Sequence, residues 1–236
     1  MSSTLRSALV FASVASLTGI ASAHVGISSG PAGANKTAII TFDIGHGCED
    51  SAGNHFDTLK VRVNIPAGVT SVRGMYNELG KPTIIKTGTT VTAIEWSKPA
   101  TDAIPDDGGF YQVKLRAKMP DAPLSKLKFV VTQTCQDGSG AAITSTWDQD
   151  EGATTGNPAP HLTVVPARVA GWNRITVPRA ITQDELPVYF GDATIVWKGT
   201  AAYSSNAQTA TMIATTTGVT ALTGGLAAND EIWVKY

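Results

Sequence analysis

The sequence contains few of the residues from which catalytic and nucleic-acid-binding sites are usually built. Among its 236 residues there are two cysteines and four histidines, and charged residues make up 16%. The 18 basic and 19 acidic residues nearly cancel, which argues against nucleic acid or an anionic membrane surface as the main partner, because both select an excess of Lys and Arg. The motifs H-E-x-x-H and C-x-x-C and the glycine-rich phosphate loop are absent. The sequence therefore gives no support for the metalloprotease, thiol-redox or nucleotide-binding classes.

The first 23 residues have the composition of a secretory signal peptide. Arg6 provides the positive charge, residues 8–20 form a short apolar stretch, and residues 21–23 are Ala-Ser-Ala, a small-x-small cleavage pattern. We therefore expect export to the periplasm or the medium, with cleavage between Ala23 and His24. Residues 1–23 are too short and too polar to span a bilayer well. No later apolar segment is long enough, so no transmembrane segment is expected after processing.

Cleavage at this position would make His24 the first residue of the mature chain. A single N-terminal histidine offers an α-amino group, with a pKa of about 8, and an imidazole, and the two can chelate one metal ion. Nitrogen ligands of this kind suit Cu(II) especially well. The alternative interpretation is that His24 merely follows the signal peptide and binds nothing.

The two cysteines, Cys48 and Cys135, suggest one disulfide. An exported protein meets an oxidising compartment, in which paired cysteines normally oxidise. The competing interpretation is a thiolate copper site.

Alternation of apolar and polar residues predicts an all-β protein. Strands are expected at 36–44, 57–65, 91–96, 111–119 and 127–134, at a segment that ends at Trp147, and at 162–165. Their regular spacing, with Gly and Pro between them, predicts an antiparallel β-sandwich of the immunoglobulin or fibronectin type over residues 24–168.

Residues 169–236 differ in character and are predicted to form a small mixed C-terminal extension that packs on the sandwich. Strands are expected at 172–178, 193–197 and 231–236, and a helix over about 206–216 with Ser205 as its cap. A separate small domain is the alternative.

Three features are predicted to converge with His24 at one end of the sandwich. The loop Gly-His-Gly-Cys-Glu-Asp at 45–50 contains His46 and Glu49, Cys135 ends a later strand, and Trp147 follows the next hairpin. Each has a plainer interpretation: His46 as an exposed loop residue, Glu49 as a solvated turn residue, and Trp147 as a core residue.

Several ordered segments resemble the YcnI-like copper-binding domain family. They are ASAHV at the cleavage site, GHGCEDS, LKVRVNIPAGV, FVVTQTCQDG and PAPHLTVVPA, and together they cover about residues 24–168. The resemblance implies an exported bacterial β-sandwich that binds Cu(II) through its mature N-terminal histidine. In that family a carboxylate and a nearby tryptophan assist the histidine, an arrangement called a monohistidine brace.

Carried over residue by residue, the resemblance assigns the N-terminal ligand to His24 and the tryptophan to Trp147. Some family members have an acidic residue where this chain has its His-Gly-Cys loop, so His46 or Glu49 would have to serve here. We favour His46, because imidazole is the better Cu(II) donor at neutral pH. The cysteine pair resembles that of one subgroup, which supports the disulfide, and the C-terminal segment resembles an extension found in some bacterial members.

The expected function is to hold Cu(II) for periplasmic copper handling, without catalysis. Another periplasmic copper chaperone or a membrane copper transporter is the expected partner. One alternative is a copper-dependent oxidative enzyme with a two-histidine brace. A second alternative is a carbohydrate-binding or adhesive sandwich, whose row of exposed aromatic residues would come from Trp96, Trp172, Trp197 and Trp233.

Overall fold

The structure, a computed structural model, describes residues 24–107, 109–137 and 139–236. The predicted signal peptide lies outside these residues. Within the described part of the chain, no helix is long and apolar enough to cross a membrane. Strands dominate, as expected for an all-β protein.

In the part of the chain that the structure describes, eighteen strands and two α-helices follow one another. In order they are β1 (Gly26–Ile27), β2 (Ala32–Gly33), β3 (Thr37–Ile44), β4 (Cys48–Glu49), β5 (His55–Asn64), β6 (Thr70–Gly74), β7 (Thr83–Thr87), β8 (Thr90–Ser97), β9 (Tyr111–Lys118), β10 (Ser125–Lys128), β11 (Val131–Gln136), β12 (Ala142–Trp147), β13 (His161–Val165), β14 (Trp172–Thr176), α1 (Leu186–Phe190), β15 (Ile195–Lys198), β16 (Ala201–Tyr203), α2 (Ala207–Thr215), β17 (Thr220–Ala221) and β18 (Glu231–Lys235). Short 3-10 helices occupy Ala100–Asp102 and Gln183–Glu185.

Two antiparallel sheets form the predicted sandwich. One has the strand order β1-β3-β9-β6, and the other has the order β12-β11-β5-β8-β7, with β4 paired to β5. Along β9 the residues Tyr111, Val113, Leu115 and Ala117 are buried and alternate with more exposed ones, as the period-two pattern predicts. The inward-facing side chains of both sheets form one buried cluster. The all-β, immunoglobulin-like sandwich is therefore confirmed.

The predicted strand over 127–134 is two strands, which belong to different sheets. β10 pairs with β13, whereas β11 pairs with β5 and β12. Between them the backbone N–H of Phe129 donates to Pro160, and the carbonyl of Val130 accepts from Asn64. At this point the chain passes from a small three-stranded sheet, β10-β13-β2, to the sheet that contains β11. The apolar pattern continues across this break and therefore does not reveal it.

Residues 169–236 form a five-stranded sheet, β14-β18-β15-β16-β17, with α1 and α2. One face of this sheet belongs to a second buried cluster, which also includes Leu124 and Val165 from the preceding part of the chain. Helix α2 is close to its predicted position, but its N-cap is Asn206, whose side chain accepts from the backbone N–H groups of Gln208 and Thr209. The expected cap, Ser205, was wrong by one residue.

Candidate metal centre

The start of β1 fixes the position of His24. Gly26 and Ile27 pair with Asp43 and Phe42 of β3 in antiparallel register. Continued backwards by two residues, this register brings His24 to the end of β3, where the chain enters the loop that contains His46. His24 is exposed, whereas the next residue, Val25, is buried in the sandwich cluster. The first strand therefore anchors the chain and leaves the histidine at the surface.

The loop after β3 is shaped by Gly47, which has no room for a side chain. A Cβ atom there would lie 2.1 Å from the carbonyl oxygen of Phe56 and 2.7 Å from Oδ1 of Asp106. The N–H of Gly47 donates to the carbonyl of Asp106 at 3.3 Å. A Cβ on Gly45, by contrast, would meet no atom within 4 Å. Close backbone approach thus explains one of the two glycines that flank His46.

The Cys48–Cys135 disulfide is present and confirms the predicted pairing. It joins residues 87 apart, with a Cα–Cα distance of 5.9 Å. Both cysteines are buried with Phe56 in a small apolar cluster. Because both thiols are consumed, the alternative of a thiolate copper site is wrong. The bond anchors the His46 loop, two residues beyond the histidine, to β11.

A buried polar network lies beneath the same loop and is centred on Gln133. Its side-chain Nε2 lies 2.9 Å from the carbonyl oxygen of His46, 2.6 Å from the hydroxyl of Thr58 and 3.2 Å from that of Tyr111, so its two N–H groups are shared among three acceptors. Its Oε1 is buried and has no hydrogen-bond partner among the described residues. Burial raises the pKa of Tyr111 to about 12, so this hydroxyl stays neutral. The network connects the loop to both sheets.

Asp106 borders the loop on its other side. Its Oδ2 lies 2.9 Å from Nδ1 of His55, and its N–H donates to Oδ1 of Asp57 at 2.9 Å. Its Oδ1 is buried without a hydrogen-bond partner among the described residues. Neither Asp106 nor Gln133 was identified from the sequence. They are distant from His46 along the chain, and only the pairing of strands brings them to the loop.

The two candidates for the second ligand have different surroundings. His46 is half-buried, with Nδ1 beside the carbonyl of Gly47 at 2.5 Å. Glu49 is exposed on β4, next to the buried Cys48. The neighbouring Asp50 is a turn residue, whose pKa is lowered by hydrogen bonds from Asn54 and other groups of its own turn. His46 is therefore the more firmly held of the two candidates.

Trp147 is buried and lies at the far end of its hairpin from the disulfide. Cys135 pairs with Ile143, and Val131 pairs with Trp147. Four residues of extended chain separate the two positions by about 13 Å. The hairpin turn therefore does not bring Trp147 to Cys135, although Trp147 and Val25 belong to the same buried cluster. Its place beside a metal remains a prediction.

Two other features of this region bear on its chemistry. Among the described residues, no group of three or more His, Cys, Asp or Glu side chains is arranged to hold a metal ion.

The segment Gly-Ile-Ser-Ser-Gly at 26–30 has the spacing of a nucleophile elbow, which joins a strand to a helix. Here Ser28 follows an edge strand and its hydroxyl donates to Asp43 at 2.8 Å, with no helix after it, so the match does not indicate a hydrolase.

The solved structures that are similar to this chain have low sequence identity to it, at 20% or less for those described next. An uncharacterized protein from Nocardia farcinica with an immunoglobulin-like fold is 20% identical, with 61% of this chain and 99% of that one covered and a TM-score of 0.48. The third cohesin of ScaC from Acetivibrio cellulolyticus is 16% identical, with 60% and 97% covered and a TM-score of 0.34. No curated protein matches significantly.

A family model, described as a domain of unknown function (DUF1775), matches residues 24–164. The match begins at His24 and ends within β13, so it includes the His46 loop, both cysteines and Trp147. Because it covers more than half of the chain, this protein belongs to the DUF1775 family, to which the YcnI-like copper-binding proteins also belong.

Proposed function

We propose that the mature protein is an exported Cu(II)-binding protein whose site is built on His24. The observation that carries the proposal is the position of this residue. The family domain begins at His24, and this residue is exposed. The register of β1, continued backwards to His24, leads to the end of β3, from which the loop with His46 starts. Processing between Ala23 and His24 would add a free α-amino group at the same place.

The donor set explains how such a site would hold copper. The α-amine and the imidazole of His24 supply two nitrogen ligands from one residue, so few further protein ligands are needed. His46 is our candidate for the next ligand, because Gly47, the disulfide and Gln133 together restrict its loop. Glu49 is the alternative. Trp147 is proposed, from the family resemblance, to cover the metal or exclude water from it.

In this proposal copper is cargo, and the protein stores it or passes it on. The expected partners are a periplasmic copper chaperone or a membrane copper transporter. The residues near His24 supply ligands and support for a loop, and we propose no catalytic step.

The test is a Cu(II) titration of protein that begins at His24, followed by electron paramagnetic resonance. A nitrogen-rich Cu(II) spectrum at one equivalent is the expected result. The matched control carries one additional Gly before His24, which keeps every side chain but removes the terminal chelate. We expect this extension to weaken binding by several orders of magnitude. Unchanged affinity in the extended protein would refute the proposal, and rapid oxygen consumption with ascorbate would indicate an oxidative enzyme instead.

A further inference from the structure

Three tryptophans form a row on the outer face of the C-terminal sheet. Trp172 lies on β14, Trp197 on β15, and Trp233 on β18, the strand between these two. Trp233 is paired directly with Trp197, and Trp172 pairs with Lys235, two residues further along β18. Paired and diagonal neighbours on one face are close enough for aromatic side chains to touch. With strands about 4.8 Å apart, the row extends about 10 Å across the sheet.

The row is not required by the hydrophobic core. The opposite face of the same strands holds Ile232, Val234 and Val196, which are all buried in the second cluster. Trp172 and Trp233 remain 51% and 48% exposed. Large aromatic side chains left in solvent on one surface are typical of binding sites. Trp96, which the sequence placed in the same row, is instead fully buried in the sandwich.

Charged side chains alternate with the indoles and largely cancel one another. Arg174 is paired with Trp233 across the strands, and its Nε donates to Glu231 at 2.6 Å. Hydrogen bonds from Thr176 and Arg174 lower the pKa of Glu231, which keeps this carboxylate charged at neutral pH. Lys235 lies over the ring of Trp172, 5.8 Å from its centroid. The face therefore carries two cations and one anion.

This arrangement restricts what the face can bind. Single-stranded nucleic acid also stacks on aromatic rings, but it needs a positively charged groove along its backbone, and here Arg174 is neutralised by Glu231. A stable protein interface needs a broad patch with an apolar core that is poor in charge. This face is a narrow stripe in which each exposed indole lies opposite a cation. Flat apolar planes with hydrogen-bonding groups beside them match a neutral sugar, which has C–H faces and hydroxyl edges.

We propose that the row of Trp172, Trp233 and Trp197 is a binding site for a neutral oligosaccharide with an extended chain, such as a β-1,4-linked one, whose successive rings can follow a row along the sheet. The C–H faces of successive sugar rings stack on the indoles along the row. Arg174, Glu231 and Lys235 exchange hydrogen bonds with the sugar hydroxyls. This site is separate from the proposed copper site and does not depend on N-terminal processing.

The test is isothermal titration calorimetry of the full chain with cellohexaose and chitohexaose. We expect at least one of them to bind, and we expect Trp233→Ala to weaken that binding at least tenfold, or about 1.4 kcal/mol. Trp233→Phe should retain much of the affinity, because an aromatic plane remains. Tyr76→Ala is the matched control, because Tyr76 is 75% exposed but belongs to the sandwich. This control should bind as the unchanged protein does.

Three outcomes would overturn the proposal. The first is no binding of either hexasaccharide at millimolar concentration by protein with an unchanged circular dichroism spectrum. The second is equal affinity in Trp233→Ala and Tyr76→Ala. The third is a concentration-dependent dimer that Trp233→Ala abolishes, which would make the row a contact between two copies of this chain. The protein with one additional Gly before His24 should bind the sugar normally, which distinguishes failure of this site from failure of the copper site.

Discussion

Replacing Gly47 by Ala tests how the loop that contains His46 is held in place. The new Cβ would lie 2.1 Å from the carbonyl oxygen of Phe56. That oxygen belongs to the backbone of β5, and Phe56 is paired with the disulfide-bonded Cys48. Strand pairing holds the carbonyl oxygen of Phe56 in place, and the disulfide holds the loop two residues after His46. The new methyl group can therefore be accommodated only if the loop shifts. Overpacking of this kind costs about 1–3 kcal/mol, and we expect a value near the upper end.

The assay is thermal unfolding followed by circular dichroism, with the disulfide intact. For a chain of 150–250 residues, about 2–4 °C of melting temperature is lost per kcal/mol, so Gly47→Ala should melt about 4–12 °C lower. Gly45→Ala is the control, because its Cβ would meet nothing within 4 Å, and we expect a change within about 0.5 kcal/mol. If His46 binds copper, only Gly47→Ala should also weaken Cu(II) binding. Equal melting temperatures for the two variants would refute this explanation of the loop.

Three further predictions concern the ligands and the response to acid. His46→Ala should weaken Cu(II) binding more than Glu49→Ala, each with His24 intact; the reverse order in a competitive titration would indicate a carboxylate ligand. Trp147→Phe should lose most of the copper-dependent fluorescence quenching, and undiminished quenching would place a different tryptophan at the metal. A hydrogen bond from Arg179 is the main cause that lowers the pKa of Glu185 from 4.5 to about 2. The stability it contributes is present above pH 4.5 and is lost as the pH falls towards 2, so Glu185→Gln should be less stable in urea at pH 7 and should lose less on acidification, whereas parallel pH profiles would contradict this.

Local patterns predicted the parts of the fold that depend on neighbouring residues. The alternation over 111–119 identified β9, because one face of that strand is buried and the other is partly exposed. The two cysteines, in a chain with a predicted signal peptide, predicted the disulfide that the structure contains. The strand break near Phe129 was missed, because apolar residues on both sides are buried although they belong to different sheets. Helix α1 was also missed, since a five-residue helix is too short to show a helical period.

The surroundings of the candidate site depended on long-range pairing and could not be predicted. Gln133 is one polar residue in an ordinary strand pattern, and nothing near it in sequence indicates that its amide reaches His46. Asp106 lies in a polar loop where an aspartate is usual. By contrast, the cleavage pattern alone identified His24 as a candidate ligand, and the family match begins at the same residue. Cleavage before His24 stays a prediction.

The end of the family match does not coincide with the end of a packed core, as the burial of Leu124 and Val165 shows. The family match ends at residue 164, yet Leu124 lies inside it and is fully buried against residues of the C-terminal sheet. Covering an aliphatic side chain of this size is worth about 1.5–3 kcal/mol. A chain shortened to residues 24–164 would lose Val165 and would expose Leu124 to water. The C-terminal sheet therefore covers part of the matched domain, and we expect a chain shortened to residues 24–164 to be less stable than the full chain.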